Sequence, residues 1–245
     1  MAKTIVITGA GLGLGRALAR RFAAEGETLV LLGRTFSKVQ VLAEELGPQH
    51  LAVECDVGSA DSVRTAFATI AERFPTIDVL INNAATYEPF KVVNATDQQI
   101  SGIIETNLSG PIYCCRSAIA MMGRGAQIIN VSSESVDVPF AMLSLYQSSK
   151  AGLERFSQAL GAELEEDGIR VTTLRAGPMY EVGKAGPAWD PEAAMEFYQR
   201  SMANGIDMRT RAISNCDNVT SVFRAILDLP ADVQLPHVSV GACKP

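Results

Sequence analysis

Thr8-Gly9-Ala10-Gly11-Leu12-Gly13-Leu14-Gly15 is the stretch on which the reading of this chain turns. Into it runs Ile5–Thr8, short and apolar like a buried strand, and out of it runs Arg16-Ala17-Leu18-Ala19, the start of a helix-period segment. A strand, a glycine-dense turn and a helix N-terminus in that order can cradle a pyrophosphate. The glycines let backbone N–H groups approach it, and the helix end adds unpaired donors and positive potential. The spacing G-x-G-x-x-G does not fit, because its last glycine would fall on Leu14 or Arg16. T-G-x-x-x-G-x-G does, on Thr8, Gly9, Gly13 and Gly15. A tight turn with no ligand would use the same glycines, so the neighbouring segments must decide.

Outward from the loop, short apolar runs alternate with helix-period segments. Thr28–Leu32, Leu51–Cys55, Val79–Asn82, Gln127–Val131, Val171–Leu174 and Val238–Val240 read as further buried strands. Arg16–Glu25, Ser37–Leu46 and Asp61–Phe74 read as helices, Thr96 and Gln99 form a capping box, and a long helix from about Tyr146 to Asp167 stops at Gly168. The alternation predicts a single-domain α/β fold over residues 1–245. The expected sheet is parallel, of about seven strands, with helices on both faces. One interruption, about 178–208, delays the last strand and carries Met179, Tyr180, Trp189, Met195, Phe197, Tyr198 and Met202. Following a strand's carboxyl end, where such sheets bind ligands, it reads as a substrate lid; a pair of packing helices or a subunit contact is the plainer alternative.

The end of the second strand bears on the cofactor. Adenine dinucleotide sites read the ribose 2′ position there, with an acid for NAD and arginine for the NADP phosphate. Here the strand ends in Leu32-Gly33-Arg34-Thr35, with no carboxylate. Arg34 therefore favours NADP (NADPH) over NAD, unless it is simply a solvated side chain.

Composition narrows the rest. A chain of 245 residues with 47% hydrophobic and 20% charged residues is that of a globular protein. Its net charge of −6 and the lack of any basic run argue against nucleic acid. Five cysteines cannot all pair, and Cys114 and Cys115 are adjacent, so reduced thiols and a cytoplasmic location are expected. The two histidines, His50 and His237, have no acidic or cysteine cluster beside them in sequence, so no metal site and no Ser-His-Asp triad is expected. No apolar run approaches membrane-spanning length, and the start of the chain leaves no room for a signal peptide, so no membrane partner is expected.

With these segments in place, the chain resembles the short-chain dehydrogenase/reductase family over nearly its whole length, and the resemblance implies a Rossmann-type doubly wound parallel sheet of order 3-2-1-4-5-6-7. Besides the glycine loop, Asp56-Val57 after the third strand is similar to the family's adenine-contacting pair, and Asn82-Asn83-Ala84-Ala85 to its N-N-A-G segment. Asn107 in Thr106-Asn107-Leu108 matches the helix asparagine, and Ser133, Tyr146 and Lys150 stand at the family's serine and Y-x-x-x-K positions. The resemblance implies a cofactor site from Gly9, Leu12, Gly13, Leu14, Gly15, Arg34, Asp56, Val57, Asn83, Ala84, Gly177 and Met179, with Tyr146 and Lys150 contributing. It also implies a catalytic set of Asn107, Ser133, Tyr146 and Lys150. The chain departs from the pattern in three places. Ala176-Gly177 replaces Pro-Gly, Glu181 falls near a threonine that bonds the carboxamide, and Leu12 replaces the basic loop residue frequent in NADP users.

The residue types suit carbonyl–alcohol chemistry. Tyr146 and Lys150 are four apart on a helix and share a face. Free tyrosine titrates near 10, and bringing it to about 7 asks about 4 kcal/mol of a neighbouring ammonium and a positive cofactor ring. By the resemblance, Tyr146 exchanges the proton, Lys150 bonds the ribose, Ser133 steadies the substrate oxygen and Asn107 helps hold a relay water. Glu134, Glu163, Glu165 and Glu166 are rival acids, the last three on a solvated helix end. The expected function is NADP-dependent oxidation or reduction. A non-catalytic dinucleotide sensor on the same fold is the alternative, and a lyase or epimerase has no support beyond the fold. Trp189, Phe197 and Tyr198, with Phe140, Met142 and Tyr87, predict a moderately apolar carbonyl or alcohol substrate. Homodimers or homotetramers paired through the long helices follow from the resemblance alone.

Overall fold

The structure, a computed structural model, describes residues 2–184, 186 and 188–244. Met1 and Pro245, at the ends of the expected domain, and Ala185 and Pro187, inside the expected insertion, lie outside the described residues. Strands β1 (Thr4–Thr8), β2 (Thr28–Gly33), β3 (Leu51–Glu54), β4 (Val79–Asn82), β5 (Gln127–Ser133) and β6 (Arg170–Ala176) match the apolar runs of the sequence. Two-residue strands β7 (Met179–Tyr180) and β8 (Ser214–Asn215) precede the last, β9 (His237–Val240). The main sheet runs β3-β2-β1-β4-β5-β6-β9, every pair parallel. The expected order thus holds, except that the last strand is the ninth in the chain, because β7 and β8 pair separately with each other.

Alternate side chains of each central strand enter opposite layers, as the period of two requires. Ile5, Ile7, Leu29 and Leu31 pack beneath α1 (Gly13–Ala24), α2 (Phe36–Leu46) and, from late in the chain, α8 (Cys216–Leu227). Val6, Val30, Leu32, Leu80 and Ile128 face α3 (Ala60–Arg73), α5 (Gly110–Ile119) and α6 (Ser144–Glu163). Burial on both faces explains why these strands read as unbroken apolar runs; each such side chain contributes roughly 1.5–3 kcal/mol.

Between β4 and β5 the chain forms α4 (Asp97–Ile104), a π-helical turn (Glu105–Ser109) and α5 without a break. The capping box at its start is present: Gln99 N–H donates to Thr96 Oγ1 (3.2 Å) and Thr96 N–H to Gln99 Oε1 (3.0 Å). Helix α6 starts at Ser144 and ends at Glu163, earlier than the Asp167 read from sequence. Exposed Glu165, Glu166 and Asp167 instead form a turn, closed by Gly168 at φ +68° donating to the Glu165 carbonyl. The excursion after β6 folds into β7, α7 (Pro191–Ala203) and β8, so the region contains a packing helix as well as loop. Among the described residues no helix is long and apolar enough to cross a membrane.

Candidate active site

Strand order reverses between β1 and β4, and in open parallel sheets ligands bind outside the carboxyl ends of the strands at such a point. The two strand ends are bolted together. Buried Thr8 Oγ1 accepts from the N–H groups of Asn83 and Ala84, each at 3.0 Å, while Asn83 Nδ2 donates to the carbonyls of Thr8 (3.0 Å) and Gly9 (3.3 Å). Gly9 sits at φ +66°, and a Cβ there would lie 2.9 Å from the Ala84 Cα. A Cβ on Gly15 would run into the Gly9 carbonyl oxygen. The glycines thus let β1, β4 and the start of α1 meet.

Above this junction opens a cleft of about 600 Å³, lined by the loops that follow β1, β2, β3, β4 and β6. Of the residues read as cofactor-binding, Gly9, Leu12, Gly13, Leu14, Arg34, Asp56, Val57, Asn83, Ala84 and Met179 all line it. Gly15 lies beneath the loop, and Gly177 lies at the end of β6, donating to the Val240 carbonyl at 2.8 Å. Sequence reasoning missed Lys38, Glu181 as a loop contact, and Lys184. Lys38 is one helical turn past Arg34 and exposed like it, a spacing that offered the signal. Glu181 is bound to the loop itself: Gly13 N–H donates to its Oε2 at 2.7 Å, and Arg16 Nη1 stands 3.4 Å from Oε1. The start of α1 therefore holds an anion already, as its exposed donors predict.

The four residues of the expected catalytic set gather behind the cleft wall: Asn107 bonds Thr86 and Tyr146 packs on Tyr87, both of which line the cleft, and Ser133 and Lys150 stand beside Tyr146. Asn107, wholly buried in the π turn, accepts from Thr86 N–H (2.8 Å) and donates to the Thr86 carbonyl (2.8 Å) and to Ser149 Oγ (3.2 Å). Its amide fixes the segment after β4. Tyr146 and Lys150 share the inner face of α6, with Nζ 5.9 Å from the phenol ring centroid. Buried Lys150 donates from Nζ to the Val131 carbonyl at 2.7 Å. Ser133, at the end of β5, stands beside the phenol and accepts from Ser135 N–H at 3.2 Å.

The expected lowering of the Tyr146 pKa counts on the positive cofactor ring as well as Lys150, and the chain's own groups act in the other direction. Burial pushes the Tyr146 phenol up to about 12; the Ser133 hydroxyl opposes the rise, and Tyr87 and the Glu134 charge add to it. Burial pulls the Lys150 ammonium down to about 8, against the charge of Glu154. The chain's own groups thus keep the phenol protonated, because hiding a phenolate from water outweighs an ammonium engaged elsewhere. Glu154, four residues beyond Lys150, accepts from Ser132 Oγ (2.6 Å) and is clamped by Arg175. Glu134 is held by Arg211 Nη2 at 2.7 Å to both oxygens, which makes it an ion-pair partner and not a free acid. Glu163, Glu165 and Glu166 are exposed, as the solvated reading expected.

The excursion roofs this end. Trp189 Nε1 donates to the Tyr87 carbonyl at 3.1 Å, the Trp189 ring meets Tyr87 edge-on at 5.3 Å, and Tyr87 lies 5.3 Å from the Tyr146 ring. Phe140 and Phe197 are buried and pack on one another, so they build the roof and do not face a substrate as expected. Tyr87, Met142, Trp189 and Tyr198 keep accessible surface. Met142 has a left-handed φ of +68°, the one such non-glycine among the described residues, a conformation that costs about 1–3 kcal/mol and often marks a functional loop.

Comparison with known proteins gives a consistent picture. The family model described as short chain dehydrogenase matches residues 3–185. The chain is 32% identical over 190 residues to carbonyl reductase family member 4 of Danio rerio, covering 77% of this chain and 80% of that protein. It is 36% identical over 184 residues to a sulfoacetaldehyde reductase of Chromohalobacter salexigens, covering 72% of each. Among solved structures, a short chain dehydrogenase of Burkholderia cenocepacia in complex with NADP superposes with a TM-score of 0.81 at 26% identity, covering 98% of this chain and 96% of that one.

Proposed function

Since the chain belongs to the short-chain dehydrogenase family, we propose that it is an NADP(H)-dependent oxidoreductase interconverting a carbonyl and a secondary alcohol, with Tyr146 as general acid and base. The observation that supports this is the clustering of Ser133 and Lys150 around Tyr146, whose ring packs on Tyr87 in the wall of the cleft over the β1–β4 reversal. The residues fit a dinucleotide. Gly9 leaves no room for a side chain, the start of α1 offers Gly13 N–H to an anion, and Asp56 and Val57 line the adenine end. When bound, the nicotinamide would give or take the hydride. NADP over NAD is supported by Arg34 and Lys38 where the cleft passes the end of β2, by the lack of a carboxylate there, and by the NADP-complexed relative.

In the reducing direction, a carbonyl oxygen beside Ser133 and Tyr146 receives its proton from the phenol, which the chain keeps protonated. In the oxidising direction the phenol must first ionise, and positive charge from Lys150 and the oxidised ring would lower that cost. Lys150, steadied through the Val131 carbonyl, would bond the ribose; Asn107 fixes the Thr86 backbone that walls the cleft. Positioned proton transfer typically supplies about 10²–10⁴-fold. Residues 1–245 would act as one domain, in the cytoplasm, as a homodimer or homotetramer. Half-buried Ile112 and Tyr113 on α5 and Phe156 on α6 support the subunit contact. Tyr87, Met142, Trp189 and Tyr198 support a moderately apolar substrate.

The test is NADPH oxidation, read by absorbance, over a panel of aldehydes and ketones. Wild type should reduce at least one, and Tyr146→Phe should lose about 10²–10⁴-fold in kcat while still binding NADPH. Undiminished turnover by Tyr146→Phe would remove the mechanism.

A further inference from the structure

The cleft's anion-holding corner is filled by the chain itself. Glu181 follows β7 directly, and β7 is tied to β8 at Ser214–Asn215, just ahead of α8. That ribbon delivers the carboxylate to Gly13 N–H at 2.7 Å and to within 3.4 Å of Arg16 Nη1. Arg16 is itself held to the same loop, donating to the Gly11 carbonyl from Nη2 at 2.6 Å and from Nε at 3.1 Å. The Glu181 side chain is only 16% exposed. The turn behind it is closed by Lys184 N–H donating to the Glu181 carbonyl at 3.2 Å, with Gly183 at φ +77°, and Lys184 lines the same cleft.

A backbone N–H has one proton to donate, and the helix-end potential fades within a turn. A carboxylate on Gly13 and a pyrophosphate on the same loop therefore exclude one another. We propose that Glu181 is an internal counter-anion of the glycine loop, displaced when a dinucleotide pyrophosphate arrives, and so a determinant of cofactor affinity. The proposal rests on the dinucleotide-binding reading of the cleft.

In the free chain Glu181 is thus a latch on the glycine loop, and it leaves as the pyrophosphate arrives.

The experiment titrates wild type, Glu181→Gln, Glu181→Asp and Asp217→Asn with NADP+ by calorimetry. Asp217 is an exposed acid beside Cys216, which lines the cleft, and it controls for charge removal near the site without a loop contact. Glu181→Gln should lower Kd about tenfold, the equivalent of about 1.4 kcal/mol. Glu181→Asp should stay between that variant and wild type, and Asp217→Asn should change Kd by less than about twofold, as an exposed, screened charge does. An unchanged or weakened affinity in a folded Glu181→Gln would overturn the latch while leaving the function intact. An equal gain from Asp217→Asn would overturn it too, assigning the effect to charge at a distance. Failure of all four proteins to bind NADP+ would overturn the cofactor reading, and the latch with it.

Discussion

Replacing Gly15 by alanine adds one methyl group, and the structure says where it goes. That methyl would meet the Gly9 carbonyl oxygen head-on, the Asn83 Nδ2 at 2.7 Å and the Gly9 carbonyl carbon at 2.9 Å. Two of these atoms are backbone, and the third is fixed by its own hydrogen bonds to Thr8 and Gly9, so no rotamer change relieves the clash. Overpacking of this kind costs about 1–3 kcal/mol, and an unyielding neighbour places it near the top. Alanine returns up to about 1 kcal/mol of helix propensity, leaving a net loss of about 2 kcal/mol. For a chain of this size that lowers Tm by about 4–8 °C. Gly102 in α4 is the control: a Cβ there meets nothing within 4 Å, so Gly102→Ala should gain about 0.5–1 kcal/mol from propensity alone. Circular dichroism melts read the stability, and NADPH titration reads the loop, where Gly15→Ala should bind at least about tenfold more weakly because Gly9 and Asn83 must shift. If Gly15→Ala melts within about 1 °C of wild type and binds NADPH normally, the close approach of α1 to the β1–β4 junction is not what the glycine is for.

Two further outcomes follow from the cleft. Arg34→Ala should weaken NADPH by about tenfold or more and NADH far less, with a smaller effect of the same sign from Lys38→Ala; equal losses for both nucleotides would count against a 2′-phosphate contact. Lys150, drawn down to about 8, loses its positive charge as pH rises through that value, whereas Tyr146, pushed up to about 12, keeps its proton. The kcat/KM for carbonyl reduction should therefore fall above about pH 8, and Lys150→Arg should abolish that limb in whatever activity it retains. A profile level to pH 9.5, or a limb unchanged in the arginine variant, would show that the ammonium does not set it.

The strands were legible because burial on both faces writes short apolar runs, and Ile5 to Ile7 or Leu29 to Leu32 can be read no other way. Tyr146 and Lys150 were legible because four residues on a helix fix a shared face. What the sequence could not carry were pairings across long separations. Arg211 reaches Glu134 from 77 residues away, and Trp189 reaches Tyr87 from 102, with no periodic signature linking them. Glu181 was visible only as a departure from a pattern; its contact with Gly13 needs the β7–β8 ribbon, which two residues per strand do not announce. The burial that raises the Tyr146 pKa in the chain alone was illegible for a related reason: spacing places an ammonium nearby, but it does not say how far packing withdraws the phenol from water.

The π turn at Asn107 makes one helical rod serve two separate docking faces. Upstream of it, α4 packs on α6; downstream, α5 packs on α3 and β4 and buries Cys114, Cys115 and Ala118. An extra residue in the rod offsets the two halves by about 100°, the rotation of a single helical step. Deleting one residue there would bring the two halves back into phase, and either the cysteine face would turn out of the core or Asn107 would swing away from the Thr86 backbone. The asparagine therefore sits at the one point along the rod where a change of phase is absorbed.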